Sequence, residues 1–190
     1  LSVMWMEIES LQAELVRSAR FDALTGMQNR GTFLGEFERE VSRCARGSPG
    51  FSLAIFDLDR FKNLNDQYGH PFGDQVLKAF ASVLSADIRK HDTVGRYGGE
   101  EFALLMPSTG KDTALRVAER VRRDLEARGI VVNGKRVELT VSGGVATYGV
   151  DGEDWDTLLS AADRALYAAK NSGRNRIIAV GATPAEAVTA

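Results

Sequence analysis

The sequence predicts an α/β or α+β fold, a single β-sheet covered by helices, with one further helix at the N-terminus. Three observations carry this. Residues 51–56 form a short apolar run. Residues 102–106 form a second, entered through Gly98-Gly99. Stretches with helical apolar spacing lie between and around them. Short apolar runs bounded by turn signals read as buried strands and the spaced stretches as amphipathic helices; mixed in this order, they build one sheet with helices packed on it.

Along the chain, Met4, Ile8, Leu11 and Leu15 follow a 4-3-4 spacing beside Trp5. They predict a helix with a narrow seam, either packed on its own domain or serving dimerisation or signalling. The turn-rich segment 22–30 leads into a helix over 30–45 with Phe33, Phe37 and Val41 on one face, broken by Ser48-Pro49-Gly50. The strand 51–56 delivers Asp57 and Asp59 at its C-terminal end. A short helix near 60–65, a loop over 68–73 and an amphipathic helix over 75–88 follow. Gly98-Gly99 predicts a hairpin, because glycine reaches positive φ without steric cost. Next come a helix over 111–127, an Asn133-Gly134 type I′ hairpin, a strand over 138–148, a helix over 155–171 and a strand over 176–180. The residues beyond are small and polar and read as a flexible tail. No internal repeat is visible.

Composition narrows the function. The 190 residues are 44% hydrophobic and 26% charged, as in an ordinary globular protein with a substantial core. A net charge of −2 gives no electrostatic footprint for a nucleic-acid polymer. One cysteine, Cys44, excludes an intrachain disulfide and a cysteine-cluster zinc site. No run is long enough to span a membrane and no signal-peptide pattern occurs. The expectation is a cytoplasmic domain, compatible with membrane anchoring of a longer protein. The first residue is Leu1, so the chain is expected to be a fragment.

The chemistry is carried by acids. Asp57 stands where a buried strand meets a loop, and Glu100 and Glu101 follow the two glycines. If the two strands are neighbours, these carboxylates meet at one edge of the sheet. Clustered carboxylates suit hard cations such as Mg²⁺ or Mn²⁺, completed by substrate phosphates, and such centres drive phosphoryl and nucleotidyl transfer. There is no Walker A sequence and no Gly-x-Gly-x-x-Gly after a first strand. Read without further context, Lys170 and Arg174 are solvated helix-end cations, Asp59 and Asp66 are capping or surface acids, and Phe61 belongs to the core.

An ordered set of motifs then defines a resemblance. Asp22-Ala-Leu-Thr-Gly-Met-Gln-Asn-Arg30, Asp57-Leu-Asp-Arg-Phe-Lys-Asn-Leu-Asn-Asp66, Gly69-His70-Pro-Phe-Gly73-Asp74, Gly98-Gly99-Glu100-Glu101-Phe102, Ser142-Gly-Gly-Val-Ala146 and Ala165-Leu-Tyr-Ala-Ala-Lys-Asn-Ser-Gly-Arg-Asn175 occur in that sequence. Together they resemble the GGDEF family of diguanylate cyclase domains, with Met27 where its entry motif has Leu. The likeness covers about residues 21–180. It implies an α+β fold with a central mixed sheet flanked by helices, similar to the palm of polymerases and nucleotidyl cyclases, with the glycine hairpin at the sheet centre. Residues 1–20 would be a linker or signalling helix, 21–180 the catalytic domain and 181–190 the tail.

The resemblance also implies a reaction and residue roles. Two GTP molecules, one per subunit of a homodimer, condense to cyclic di-GMP with release of two pyrophosphates. Asp57, the Leu58 carbonyl, Glu100 and Glu101 would hold two Mg²⁺ or Mn²⁺ ions per site. Glu100 and Glu101 would also serve as base candidates, and Lys62 would stabilise the transition state. Asn65 and Asp74 would read guanine, His70 would lie against the nucleotide or brace its loop, Gly98 and Gly99 would admit the substrate, and Lys170 and Arg174 would clamp the outer phosphates. Arg89-Lys-His-Asp92, together with Arg120, matches an inhibitory product site; the plain alternative is a helix end with a surface ion pair. An upstream sensory domain is expected. The alternative function is a silent receptor for cyclic di-GMP or GTP, a kind that usually lacks a hairpin acid or glycine; both are present here. Aspartate at position 74 argues against a purine-promiscuous cyclase, and a pure dimerisation module would leave the acids unexplained.

Overall fold

The computed structural model describes residues 2–86 and 88–181; the expected tail beyond them, like the side chains of Met4 and Leu15, lies outside the described residues. Its elements are α1 (Ser2–Arg20), α2 (Arg30–Ala45), β1 (Ser52–Leu58), α3 (Phe61–Tyr68), α4 (His70–Ala86), β2 (Thr93–Arg96), β3 (Glu101–Met106), α5 (Lys111–Arg128), β4 (Ile130–Val132), β5 (Lys135–Val137), β6 (Val141–Thr147), α6 (Trp155–Asn171) and β7 (Ile177–Ala179). The main sheet runs β2-β3-β1-β6-β7, and β4-β5 forms a separate hairpin. All neighbours in the main sheet are antiparallel except β6 and β7, so the sheet is mixed. The chain is therefore α+β. The centre belongs to β1, and the glycine hairpin lies to one side with β2 as edge strand, contrary to the expected central hairpin. Gln28 pairs with Gly95 and partly covers that edge.

Apolar runs without alternation form β1 and β3 because helices cover both sheet faces. Ala54, Phe56, Leu58, Phe102 and Leu104 pack with α3, α4 and α5, while Leu53, Ile55, Ala103 and Leu105 pack with α2 and α6. Gly144 lets α6 lie directly on β6, since a Cβ there would strike the Ala162 carbonyl. Asn133 and Gly134 both take positive φ, as a type I′ turn requires.

Two boundaries differ from expectation. The segment 68–73 is not a loop: α4 already begins at His70. Gly69, at φ 85°, ends α3, and Pro71 sits in the first turn of α4, where a missing N–H costs nothing. The strand predicted from 138 begins at Val141. On α1, Trp5, Met6, Ile8, Leu11 and Val16 are exposed, so the described part of its seam is not packed on this domain. Among the described residues no helix is long and apolar enough to cross a membrane.

Candidate active site

The site is built from the register of β1 against β3. Antiparallel pairing sets Asp57 opposite Glu101, with Glu100 next to it in the turn. Leu58 N donates to the Glu100 carbonyl at 3.4 Å, fixing the Leu58 backbone at the same end. By strand alternation Asp57 follows Leu53 and Ile55, and Glu101 precedes Ala103 and Leu105, so both acids turn to the α6 side. There Lys170, in the last turn of α6, reaches Asp57 Oδ2 at 2.8 Å with its side chain 31% exposed. It is thus a counter-ion rather than a freely solvated cation.

The electrostatics are those of crowded acids. Burial raises the Asp57 carboxyl above its ordinary value; Lys170 opposes this and the Asp59 charge adds to it. Burial likewise raises Glu100 and Glu101, and in each case the Asp57 charge pushes further while Lys170 opposes. Ionised carboxylates held this close favour a bound cation. Among the described residues no three His, Cys, Asp or Glu side chains form a ready-made metal cage. Ions of the Mg²⁺ type are usually held by one or two carboxylates and complete their shell with substrate phosphates. The donor set, all oxygen with one lysine opposite, fits such a group.

The turn itself departs from the sequence argument. Neither Gly98 nor Gly99 has positive φ. Gly98 leaves room for the Glu101 carboxylate, whose Oε2 a Cβ there would displace. A Cβ on Gly99 would meet nothing, so this backbone is open to a ligand. The turn is closed by Tyr97 N and Gly98 N donating to the Glu101 carbonyl. Arg96 braces it from behind. Its Nη2 donates to the Gly99 carbonyl at 2.7 Å, and its Nη1 to Asp22 at 3.0 and 3.2 Å. Asp22 also accepts from Thr25 N and Oγ1. Burial alone would raise the Asp22 carboxyl, but the bonds from Thr25 and Arg96 outweigh it and hold it low. Arg96 was not singled out from sequence; the long-range pairing of the entry segment with the hairpin is its only signal.

The remaining candidates are distributed around this end. Lys62, His70 and Asp74 are exposed on α3 and α4. Asn65 Oδ1 is buried with no hydrogen-bond partner and lies against Gly73, where a Cβ would strike it. An orphaned acceptor costs about 1–3 kcal/mol unless a donor arrives. Arg174 is exposed, at φ 65°, and its charge acts on Asp57. Arg89 and Asp92 form a compact turn, with Arg89 N donating to Asp92 Oδ2 at 2.9 Å and Asp92 N to the Arg89 carbonyl at 3.0 Å. Arg120 is exposed on α5. Asp66 is exposed, as a surface acid should be. Asp59 is neither a cap nor a surface acid. It is 6% exposed and accepts from Thr140 Oγ1 and Ser142 Oγ, each at 2.7 Å, and from Asn175 N at 3.0 Å. Phe61 lies in the core.

The mixed sheet flanked by helices is the fold of solved GGDEF domains, a palm-like cyclase fold. The chain belongs to the GGDEF family: the family described as "Diguanylate cyclase, GGDEF domain" matches residues 19–176. It is 39% identical over 146 residues to diguanylate cyclase A of Treponema denticola, covering 77% of this chain and 39% of that protein. The coiled coil and GGDEF domain of DgcB from Caulobacter crescentus, solved in complex with c-di-GMP, superposes with a TM-score of 0.83 at 30% identity, covering 94% of each chain. The active GGEEF domain of a diguanylate cyclase from Vibrio cholerae superposes with a TM-score of 0.74 at 31% identity, covering 82% of this chain and 98% of that one. The chain spans less than half the length of the curated relatives it matches. Diguanylate cyclases of this family are generally metal-dependent.

Proposed function

We propose that this chain is a diguanylate cyclase domain that condenses two GTP into cyclic di-GMP and two pyrophosphates. The observation that carries the reading is the trio Asp57, Glu100 and Glu101, set at one end of β1 and β3, raised by burial with the Asp57 charge pushing both glutamates further, opposite Lys170. Such a cluster is poised for a divalent cation and a polyphosphate. Both hairpin acids and both glycines are present, and the Vibrio cholerae domain described as active also has the GGEEF sequence.

In this reading Asp57, the Leu58 carbonyl, Glu100 and Glu101 hold two Mg²⁺ or Mn²⁺ ions. When bound, the ions neutralise phosphate charge and make the 3′-hydroxyl more acidic. Glu100 accepts the 3′-hydroxyl proton, assisted by Glu101, as the oxygen attacks the α-phosphorus of the other GTP. The bond from α-phosphorus to the bridging oxygen breaks and pyrophosphate leaves. A second, identical step closes the ring. Lys62 offsets charge growing on the phosphoryl group, and Lys170 and Arg174 hold the outer phosphates. The open Gly99 backbone admits the nucleotide. The orphaned Asn65 Oδ1 and the Asp74 carboxylate suit the N1–H and amino donors of guanine, and His70 braces them.

Each chain supplies one GTP, so the site is complete only between two copies. The exposed seam of α1 supports a homodimer, with residues 1–20 as linker, 21–180 as catalytic unit and a sensory domain upstream. Arg89, Asp92 and Arg120 form the product site that feeds back on activity. The test is incubation with GTP and Mg²⁺ at high protein concentration, with products resolved by mass. Cyclic di-GMP that is lost in Glu100→Ala is the expected result, and recovery from product inhibition in Arg89→Ala adds the feedback site. A dimeric protein that binds nucleotide but makes no product would overturn the reading in favour of a receptor.

A further inference from the structure

Beyond α6 the chain makes two consecutive left-handed residues, Arg174 at φ 65° and Asn175 at φ 48°. This conformation costs about 1–2 kcal/mol at a residue with a Cβ, so neighbouring groups must hold it. Asn175 is gripped from three directions. Its Nδ2 donates to Glu126 Oε1 at 2.6 Å, and its Oδ1 accepts from Arg122 Nη1 at 2.9 Å, both on α5. Its backbone N–H donates to the buried Asp59 carboxylate, which Thr140 and Ser142 hold from the other side.

The α5 groups are themselves fixed. Arg122 Nη1 donates to Glu126 Oε2 at 2.7 Å and its Nε to Glu119 Oε2 at 2.8 Å, while buried Glu119 accepts from Ile177 N at 3.1 Å. Arg174 N donates to the Ala169 carbonyl at the end of α6. The backbone of Arg174 is therefore pinned on both sides, while the residue is exposed and its charge acts on Asp57. A loop needed only for connection would fit a glycine here; this one uses the backbone N–H and both side-chain polar atoms of an asparagine.

We infer that Asn175 is a positioning residue for outer-phosphate recognition: the Arg122–Glu126 fork on α5 holds it, and it aims Arg174 at the β- and γ-phosphates. The inference rests on the cyclase reading and deepens it. Arg174 makes the contact; Asn175, Arg122 and Glu126 act through it.

The test compares two ligands by calorimetry: GMP, which lacks outer phosphates, and a GTP analogue with a methylene bridge between the α and β phosphorus atoms. Glu126→Ala and Asn175→Gly are expected to weaken the analogue about tenfold, the scale of one misplaced charge-assisted hydrogen bond, and to leave GMP within about twofold. Glycine retains the left-handed backbone, so the second variant serves if the first does not fold. In an Arg174→Ala background, Glu126→Ala should add less than about twofold, because positions acting through one contact are not additive. Equal weakening of both ligands, an undiminished loss without Arg174, or unchanged analogue binding in a folded variant would overturn the inference. A wild-type protein that binds the analogue no better than GMP would instead remove the phosphate clamp itself, a failure visible before any variant is made.

Discussion

The two ends of β1 bury polar groups in opposite ways. At the Ser52 end the hydroxyls are neutral and matched: Ser52 Oγ donates to the Thr109 carbonyl at 2.8 Å and lies 2.9 Å from Thr147 Oγ1, and Thr147 N donates to Asp151. At the Asp57 end Lys170 pairs with Asp57, and Asp57, Glu100 and Glu101 are raised chiefly by burial, the glutamates further by the Asp57 charge and Asp57 by Asp59. The strand is equally buried throughout. Burial alone therefore does not separate the two ends; completeness of pairing does. The matched end anchors the sheet, and on the proposed reading the unmatched end retains free energy that a cation and a phosphate would collect.

Breaking each end should produce different losses. The largest effect is expected from Glu100→Ala: cyclic di-GMP formation, followed by chromatography, falls about 100-fold or more, the scale of losing one group that meets developing charge. Circular dichroism should be unchanged. At the other end, Ser52→Ala leaves the Thr109 carbonyl without its donor and should cost about 1–3 kcal/mol in a denaturant titration. Its specific activity should remain within about twofold of wild type under conditions where it is folded. A folded Ser52→Ala protein without activity would show that the two ends are not separable.

The pH dependence sharpens the contrast. Asp57, Glu100 and Glu101 titrate above their ordinary values, so their contribution to stability is present while they are protonated and is lost as pH rises through the folded values. On the proposed reading, a divalent cation binds the ionised forms and reverses that loss. Mg²⁺ should therefore raise the thermal midpoint by several degrees near pH 7.5 and by little in the lower carboxylate range, read by scanning fluorimetry. Equal shifts at both values would locate the bound cation elsewhere. The smallest effect is expected from Glu101→Gln, which removes one crowded charge. Without metal its midpoint should rise by about 2–4 °C, the equivalent of about 1 kcal/mol at this size. An unchanged midpoint would mean that solvent already screens the crowding.

Legibility followed the range of the interaction concerned. The acid cluster could be read because three acids mark the ends of two apolar runs, and the Asn133-Gly134 turn because its positive φ is a local property. Helix α4 began earlier than read because Gly69 and Pro71 signal a break, yet proline is tolerated in a first helical turn. The glycine hairpin stands where the sequence places it, but not through positive φ, which neither glycine adopts; Gly98 instead leaves room beside the Glu101 carboxylate. Asp59 and Arg96 escaped local reading entirely. Their partners, Asn175 and Asp22, are more than seventy residues away in sequence and are brought close only by the finished sheet.

The brace behind the hairpin has a mechanical corollary. Asn29 ties the last turn of α1 to the body, its Nδ2 donating to the Ala19 carbonyl and its N–H to that of Arg20, and two residues past that turn Asp22 holds Arg96, which holds Gly99. The azimuth of α1 is thereby locked to the glycine turn. One residue inserted into α1 rotates everything upstream by about 100°, whereas seven return it to within about 20° of its starting direction. The hairpin thus has a compass bearing as well as a position, and the length of α1 writes it.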